Sequence, residues 1–300
     1  MRKREVDMNE PLMNPGQQLE SYQPHKPEMM RALEEAQAQG QASQGKGLVE
    51  NILHGVSQKP SGEFEGITHF PKYLKVVSDY LGDELDYTYA IVACGGAFRL
   101  GWDTAEWNCD IGAIQNTYGD AEATFRNGVA ALGREFKMLW REGNEWGQPG
   151  NGTKEDFKAF IKKQIDQGHP LISLGPVGPP EAGIITGYRD GGDTLLGWSG
   201  FQGIAELWPR QTFSDEGYFV TDAWWDGKGG HIQAVMSLGD ITGPRADAKW
   251  IVRNAIAALE GRQEGSVAKG VAAYDAWKKA LLGASKSDFG KGCPLANTTS

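Results

Sequence analysis

The sequence predicts a mixed α/β (α+β) fold with an N-terminal helical half, an antiparallel sheet of about five strands and a C-terminal helical pair. Three observations lead there. Apolar residues recur at helical spacing around 68–81, 121–132 and 153–165. Between residues 171 and 238 the period shortens to that of strands separated by glycine-rich turns. Beyond Thr242-Gly-Pro244 the helical spacing returns.

Residues 1–62 form the first expected region, a flexible polar arm. The arm is amide-rich and holds few large apolar side chains, so burial cannot offset its ordering entropy unless it docks elsewhere. A packed domain is expected over 63–240. Thr68 can cap a helix and Pro71 suits its first turn. Phe70, Leu74, Val77 and Leu81 lie on one stripe that ends at Gly82. The apolar run Tyr89–Trp102 is interrupted by Gly95-Gly96, so helix and tight turn compete there. Residues Ala121–Leu132 read as helix, and Glu135–Trp140 alternates as a strand. Thr153 and Asp156 match a capping box, Phe157, Phe160, Ile161 and Ile165 share a face, and Gly168 is the stop.

Five strands are expected next, at Leu171–Leu174, Gly183–Tyr188, Thr194–Trp198, Tyr218–Thr221 and Ile232–Leu238. Arg-Asp-Gly-Gly-Asp between the second and third is a hairpin signal. Residues 241–300 form the last region. One helix is expected to about Glu260 and a second from about Glu264 to Leu282, anchored by Trp250, Ile251, Tyr274 and Trp277.

Composition narrows the function. The chain of 300 residues has a net charge of −9 and no basic face stands out in the sequence, which disfavours a nucleic-acid partner. No apolar stretch approaches the roughly 18 residues of a membrane span, and no signal-peptide pattern opens the chain. The expected partners therefore exclude membranes, and the expected location is the cytoplasm. Three cysteines, Cys94, Cys109 and Cys293, suit neither a disulfide framework nor a structural zinc site. The five histidines form no close pair and no H-E-x-x-H. Phosphate-loop, dinucleotide and serine-hydrolase elbow motifs are missing too, so no metal or cofactor is expected. The composition is instead marked by 41 glycines and ten tryptophans, eight of the latter between Trp102 and Trp225.

Three segments, taken in order, resemble the papain-like cysteine peptidase superfamily, in particular its bacteriocin-processing branch and the N-terminal domain of the butirosin biosynthesis protein H family. His69-Phe-Pro-Lys-Tyr-Leu, continuing to Tyr80-Leu-Gly82, parallels the family's Cys-x-Pro-x-x-Leu…Tyr-x-Gly nucleophile helix. Val92-Ala-Cys-Gly-Gly-Ala-Phe98 is similar to its glycine-rich segment. Glu181-Ala-Gly-Ile-Ile-Thr-Gly-Tyr-Arg-Asp190 parallels the strand that presents its histidine. The resemblance covers roughly residues 60–240 and implies a papain-like fold with peptidase or acyltransferase ancestry.

The residues that would carry the thiol chemistry are replaced. His69 stands where the nucleophilic cysteine would be, Glu181 where the histidine would be, and Ser199 near the place of the aspartate or asparagine. If His69 and Glu181 face each other, a helix N-terminus and a carboxylate act on the imidazole in opposite senses. The pair could serve as a general base on water, orient a ligand, or be a hydrogen-bonded plug in a degenerate site.

Cys94 offers a second route. Gly95-Gly96 beside it could form an anion nest, and His231 at the start of a strand could be its base. Trp198, Tyr188, Trp224 and Trp225 could line a ligand cleft or simply pack the core. Three functions stay open at this point. The first is a repurposed or catalytically degenerate papain-like protein binding a small acyl- or peptide-like ligand near His69 and Glu181. The second is an active thiol hydrolase or acyltransferase using Cys94 and His231. The third is an interaction protein that meets a protein partner through the arm or the C-terminal helices.

Overall fold

The computed structural model describes residues 49–59, 69–105, 121–208, 212–226, 231–260 and 262–283, all within one unit, Gly47–Ser300. In chain order these are β1 (Asn51–Ile52), α1 (His69–Tyr80), α2 (Tyr87–Ala93), a 3-10 turn (Gly96–Phe98), β2 (Gly101–Asp103), α3 (Ala121–Ala130), β3 (Arg134–Trp140), α4 (Lys154–Asp166), β4 (Leu171–Leu174), β5 (Ala182–Arg189) and β6 (Thr194–Trp198). Then follow β7 (Phe219–Thr221), β8 (Ala234–Ile241), α5 (Ala248–Leu259), β9 (Arg262–Glu264), β10 (Val267–Lys269) and α6 (Val271–Gly283). Six α-helices and a mixed α/β architecture thus stand among the described residues. Thr68, Trp107, Cys109, Cys293 and most of the expected arm lie outside them.

The main sheet has seven strands rather than about five. Its order is β3-β8-β4-β5-β6-β7, every pairing is antiparallel, and β1 pairs with β5 at Asn51↔Tyr188 and Ile52↔Gly187. The sequence missed β1 because two residues have no period to detect. It also counted β3 apart from the sheet, because the partner of β3 is β8, far along the chain. Residues assigned to the arm are consequently part of the fold. Leu53 and Val56 are buried, and their carbonyls accept from Tyr218 Oη at 3.0 Å and Trp198 Nε1 at 2.7 Å.

The C-terminal region also differs from expectation. The segment expected to begin a second helix at Glu264 is a hairpin, and β10 pairs with both β9 and β2 to make a separate three-stranded sheet. Glu264-Gly-Ser-Val breaks helical continuity with a glycine at φ 61° (Gly265), and α6 starts only at Val271.

Helix α1 is held by its stripe. Phe70, Tyr73, Leu74 and Val77 are fully buried, and the helix packs on β4 and β5. Helix α4 has the expected capping box: Asp156 N–H donates to Thr153 Oγ1, and Thr153 N–H donates to Asp156 Oδ2. A buried bidentate pair, Arg134 to Asp83 at 2.6 and 3.0 Å, ties the turn after α1 to β3. The registers Trp140↔Ala234, Leu174↔Ala234, Leu174↔Ala182 and Ile184↔Trp198 gather one end of five strands at the same sheet edge. The candidate site is built on that edge.

Candidate functional site

His69 is the first residue of α1, so the buried stripe beneath it fixes where its imidazole sits. Glu181 directly precedes β5, at the end of the tight segment Gly175-Pro-Val-Gly-Pro-Pro-Glu181. Gly175 N–H donates to Glu181 O at 3.1 Å, and Glu181 N–H donates to Pro179 O at 2.7 Å. Gly178 has φ +76°, and a Cβ there would stand 2.6 Å from Phe201 Cβ, so only glycine fits that crossing. These contacts hold the carboxylate against the helix N-terminus. His69 Nδ1 lies 3.4 Å from Glu181 Oε2, and each side chain is 27% exposed.

The turn after β6 closes the other side of the imidazole. Phe201 meets His69 edge-on with ring centroids 5.4 Å apart. A Cβ on Gly200 would lie 3.0 Å from His69 Nε2, which places the Gly200 backbone against that nitrogen. Ser199 makes this turn rigid: its Oγ donates to Val177 O at 3.1 Å and accepts from Phe201 N–H at 3.1 Å. Its own N–H donates to Gln202 Oε1 at 3.0 Å. The Ser199 hydroxyl is therefore an anchor for two loops and does not point at His69 as a third catalytic group.

Cys94 is not a nucleophile in this structure. It is fully buried as the C-cap of α2, its Sγ–H donates to Ile91 O at 3.4 Å, and burial pushes the thiol up to about 12. A helix C-terminus carries the negative end of the macrodipole, which opposes a thiolate. Gly95 is the left-handed stop of α2, with its N–H donated to Val92 O at 3.0 Å, and Gly96 opens the following 3-10 turn with its N–H on the Cys94 sulfur, a contact that lowers the thiol by less than burial raises it. His231 pairs with Glu145 instead, Nε2 to Oε1 at 3.5 Å. Its backbone flanks the Glu181 loop, because a Cβ on Gly175 would meet both His231 O at 2.9 Å and Pro180 Cα at 3.0 Å.

The aromatic residues divide among other tasks. Trp198 is 9% exposed and is committed to Val56 O and to an edge contact with Tyr218 at 4.9 Å. Tyr188 is buried seven residues along β5 from Glu181, a span of roughly 20 Å, where its hydroxyl donates to Asp166 at 2.7 Å. Trp224 is fully buried, and its Nε1–H donates to Asp193 O at 3.0 Å. Trp225 lines a cleft of about 630 Å³, with Arg141 over its ring at 4.5 Å and Lys154 and Asp156 among the lining residues. That cleft includes neither His69 nor Glu181.

The structure thus brings His69 and Glu181 together, places Ser199 in the adjoining turn without aiming it at His69, and pairs His231 with Glu145. It sends Cys94, Tyr188, Trp198 and Trp224 into packing roles. Sequence reasoning missed Gly200 and Glu145, and no local pattern marks either: one is a turn glycine among many, the other a glutamate in a polar loop. Among the described residues, no cluster of three or more histidine, cysteine or carboxylate groups could hold a metal, and no helix is long and apolar enough to cross a membrane. Chemically, the site offers an imidazole paired with a carboxylate at a rigid sheet edge, able to accept or donate a proton or hydrogen bond. Comparison with protein-family models, curated proteins and solved structures finds no match.

Proposed function

We propose that the protein is a papain-like-fold member repurposed to bind a small acyl- or peptide-like ligand at His69 and Glu181, without a thiol mechanism. The observation that carries this reading is the 3.4 Å approach of His69 Nδ1 to Glu181 Oε2, at the two positions where the resembled family would hold its cysteine and histidine. A carboxylate that orients an imidazole lets the pair recognise a carbonyl or amide by hydrogen bonding, in a setting that Pro179, Pro180, Gly178 and Phe201 keep stiff. The burial of Cys94 and the commitment of Ser199 remove the two side chains that would otherwise be candidate attacking groups.

The test is a titration of N-acetyl dipeptide amides and N-acylglycines into isotopically labelled protein, following the imidazole resonances. Binding should move the His69 signals, weaken at least ten-fold in Glu181→Gln by loss of one charged hydrogen-bond partner, and persist in Cys94→Ala. Acyl-ester hydrolysis that depends on Cys94 would return the protein to the thiol hydrolases and refute the reading.

A further inference from the structure

The C-terminal helices carry a surface that the site does not use. Of α5 only Ala255 is buried, and of α6 only Ala273. Large apolar side chains point outward instead: Val252 and Ile256 are 54% and 56% exposed, Val271 and Tyr274 54% and 47%, and Leu282 79%. Helical geometry at 100° per residue puts Lys249, Val252, Arg253 and Ile256 within one arc of α5. It likewise puts Val271, Tyr274, Lys278 and Leu282 within one arc of α6. The end of α5 meets the start of α6, since a Cβ on Gly270 would stand 2.5 Å from Leu259 O.

Charge selects what such a surface meets. Helices α5 and α6 hold four bases, Lys249, Arg253, Lys278 and Lys279, against one acid, Asp275, in a chain whose net charge is −9. Lys249, Arg253, Lys278 and Lys279 are all exposed. Outward apolar side chains interleaved with lysine and arginine are the pattern of a helix that lies in a membrane interface, with bases reaching anionic headgroups and leucine, isoleucine and tyrosine entering the acyl boundary. An apolar patch left facing water in a folded protein marks an interaction surface. We propose that the exposed faces of α5 and α6 dock on an anionic lipid surface, lying on it rather than spanning it.

The experiment is co-sedimentation of the full chain with phosphatidylcholine vesicles and with vesicles of phosphatidylcholine and phosphatidylglycerol in equal parts, at low and high salt. Binding is expected only to the mixed vesicles and should fall with salt. Lys249→Gln with Lys278→Gln should weaken it about thirty-fold, from roughly five-fold per base at the surface, and Leu282→Asp should abolish it. All three residues are exposed, so the circular dichroism and Tm of the variants should match the wild type. Absence of binding to mixed vesicles at low salt overturns the proposal, as does equal binding to both vesicle types. A concentration-dependent dimer in light scattering that Leu282→Asp dissolves also overturns it, because a second copy would then cover the face.

Discussion

A variant whose only thiol is Cys94, made by replacing Cys109 and Cys293 with serine, separates a core cysteine from a nucleophile. The native thiol is pushed from 9.0 up to about 12 by burial. At about pH 8 a thiol titrating at 9.0 is roughly a tenth thiolate, and one titrating at about 12 is roughly one part in ten thousand. The reactive fraction therefore drops about a thousand-fold before any steric barrier is added. Stability responds in the same direction. Above pH 9 the unfolded chain releases this proton while the native protein holds it, so the unfolded state binds fewer protons and stability falls as pH rises towards about 12. The full loss is about 4 kcal/mol, at about 1.4 kcal/mol per pH unit. Pulse labelling with iodoacetamide, read by mass spectrometry, should show the native protein reacting about a thousand-fold more slowly than the urea-unfolded chain. Labelling faster than free cysteine, slowed by His231→Ala, would refute this account of Cys94.

Three further outcomes follow from the same structure. Gly200→Ala brings a methyl to 3.0 Å from His69 Nε2, so the ring or the turn must yield; the His69 imidazole resonances should shift while the urea midpoint stays within about 1 kcal/mol of wild type. Asp83→Asn or Arg134→Met, each breaking the buried bidentate pair, should cost about 3–5 kcal/mol in urea unfolding, and the double replacement Asp83→Leu with Arg134→Met should recover much of that. Trp198→Phe removes the donor to Val56 O and should cost about 1 kcal/mol, with amide exchange accelerating at residues 51–56 before the rest of the sheet.

The fold was legible wherever a segment was long enough to show a period. Phe70, Leu74 and Val77 announced α1, Thr153 with Asp156 announced α4, and the alternation of β3 and the apolar runs of β4 to β6 between glycine-rich turns were readable from local sequence. Short pieces were not. β1 has two residues and β9 and β10 three each, too short to show a period, and β1 pairs with β5 and β10 with β2 far away in sequence. At the site, the order of motifs pointed to His69, Glu181 and Ser199; His69 and Glu181 lie 3.4 Å apart, and the Ser199 hydroxyl is engaged by Val177 O and Phe201 N–H. The roles of Cys94 and the tryptophans depended on burial. A cysteine beside two glycines reads alike whether it ends a helix in the core or sits in an open nest, and only packing separates the two. Tyr188 lies on the Glu181 strand but at its other end, a distance that residue type does not encode.

The strand order has a consequence for how the chain must be made. β8, residues Ala234–Ile241, lies between β3 and β4, and β2 waits for β10 at Val267–Lys269. During synthesis, therefore, β3 and β4 emerge with open hydrogen-bonding edges and acquire their common neighbour only after β5, β6 and β7 have been made. Nascent chains stopped short of residue 234 should accumulate as edge-exposed, aggregation-prone species, and chains ending near residue 245 should complete the large sheet while leaving β2 single. β4, the neighbour of the β5 strand that Glu181 precedes, thus gains its second partner only late.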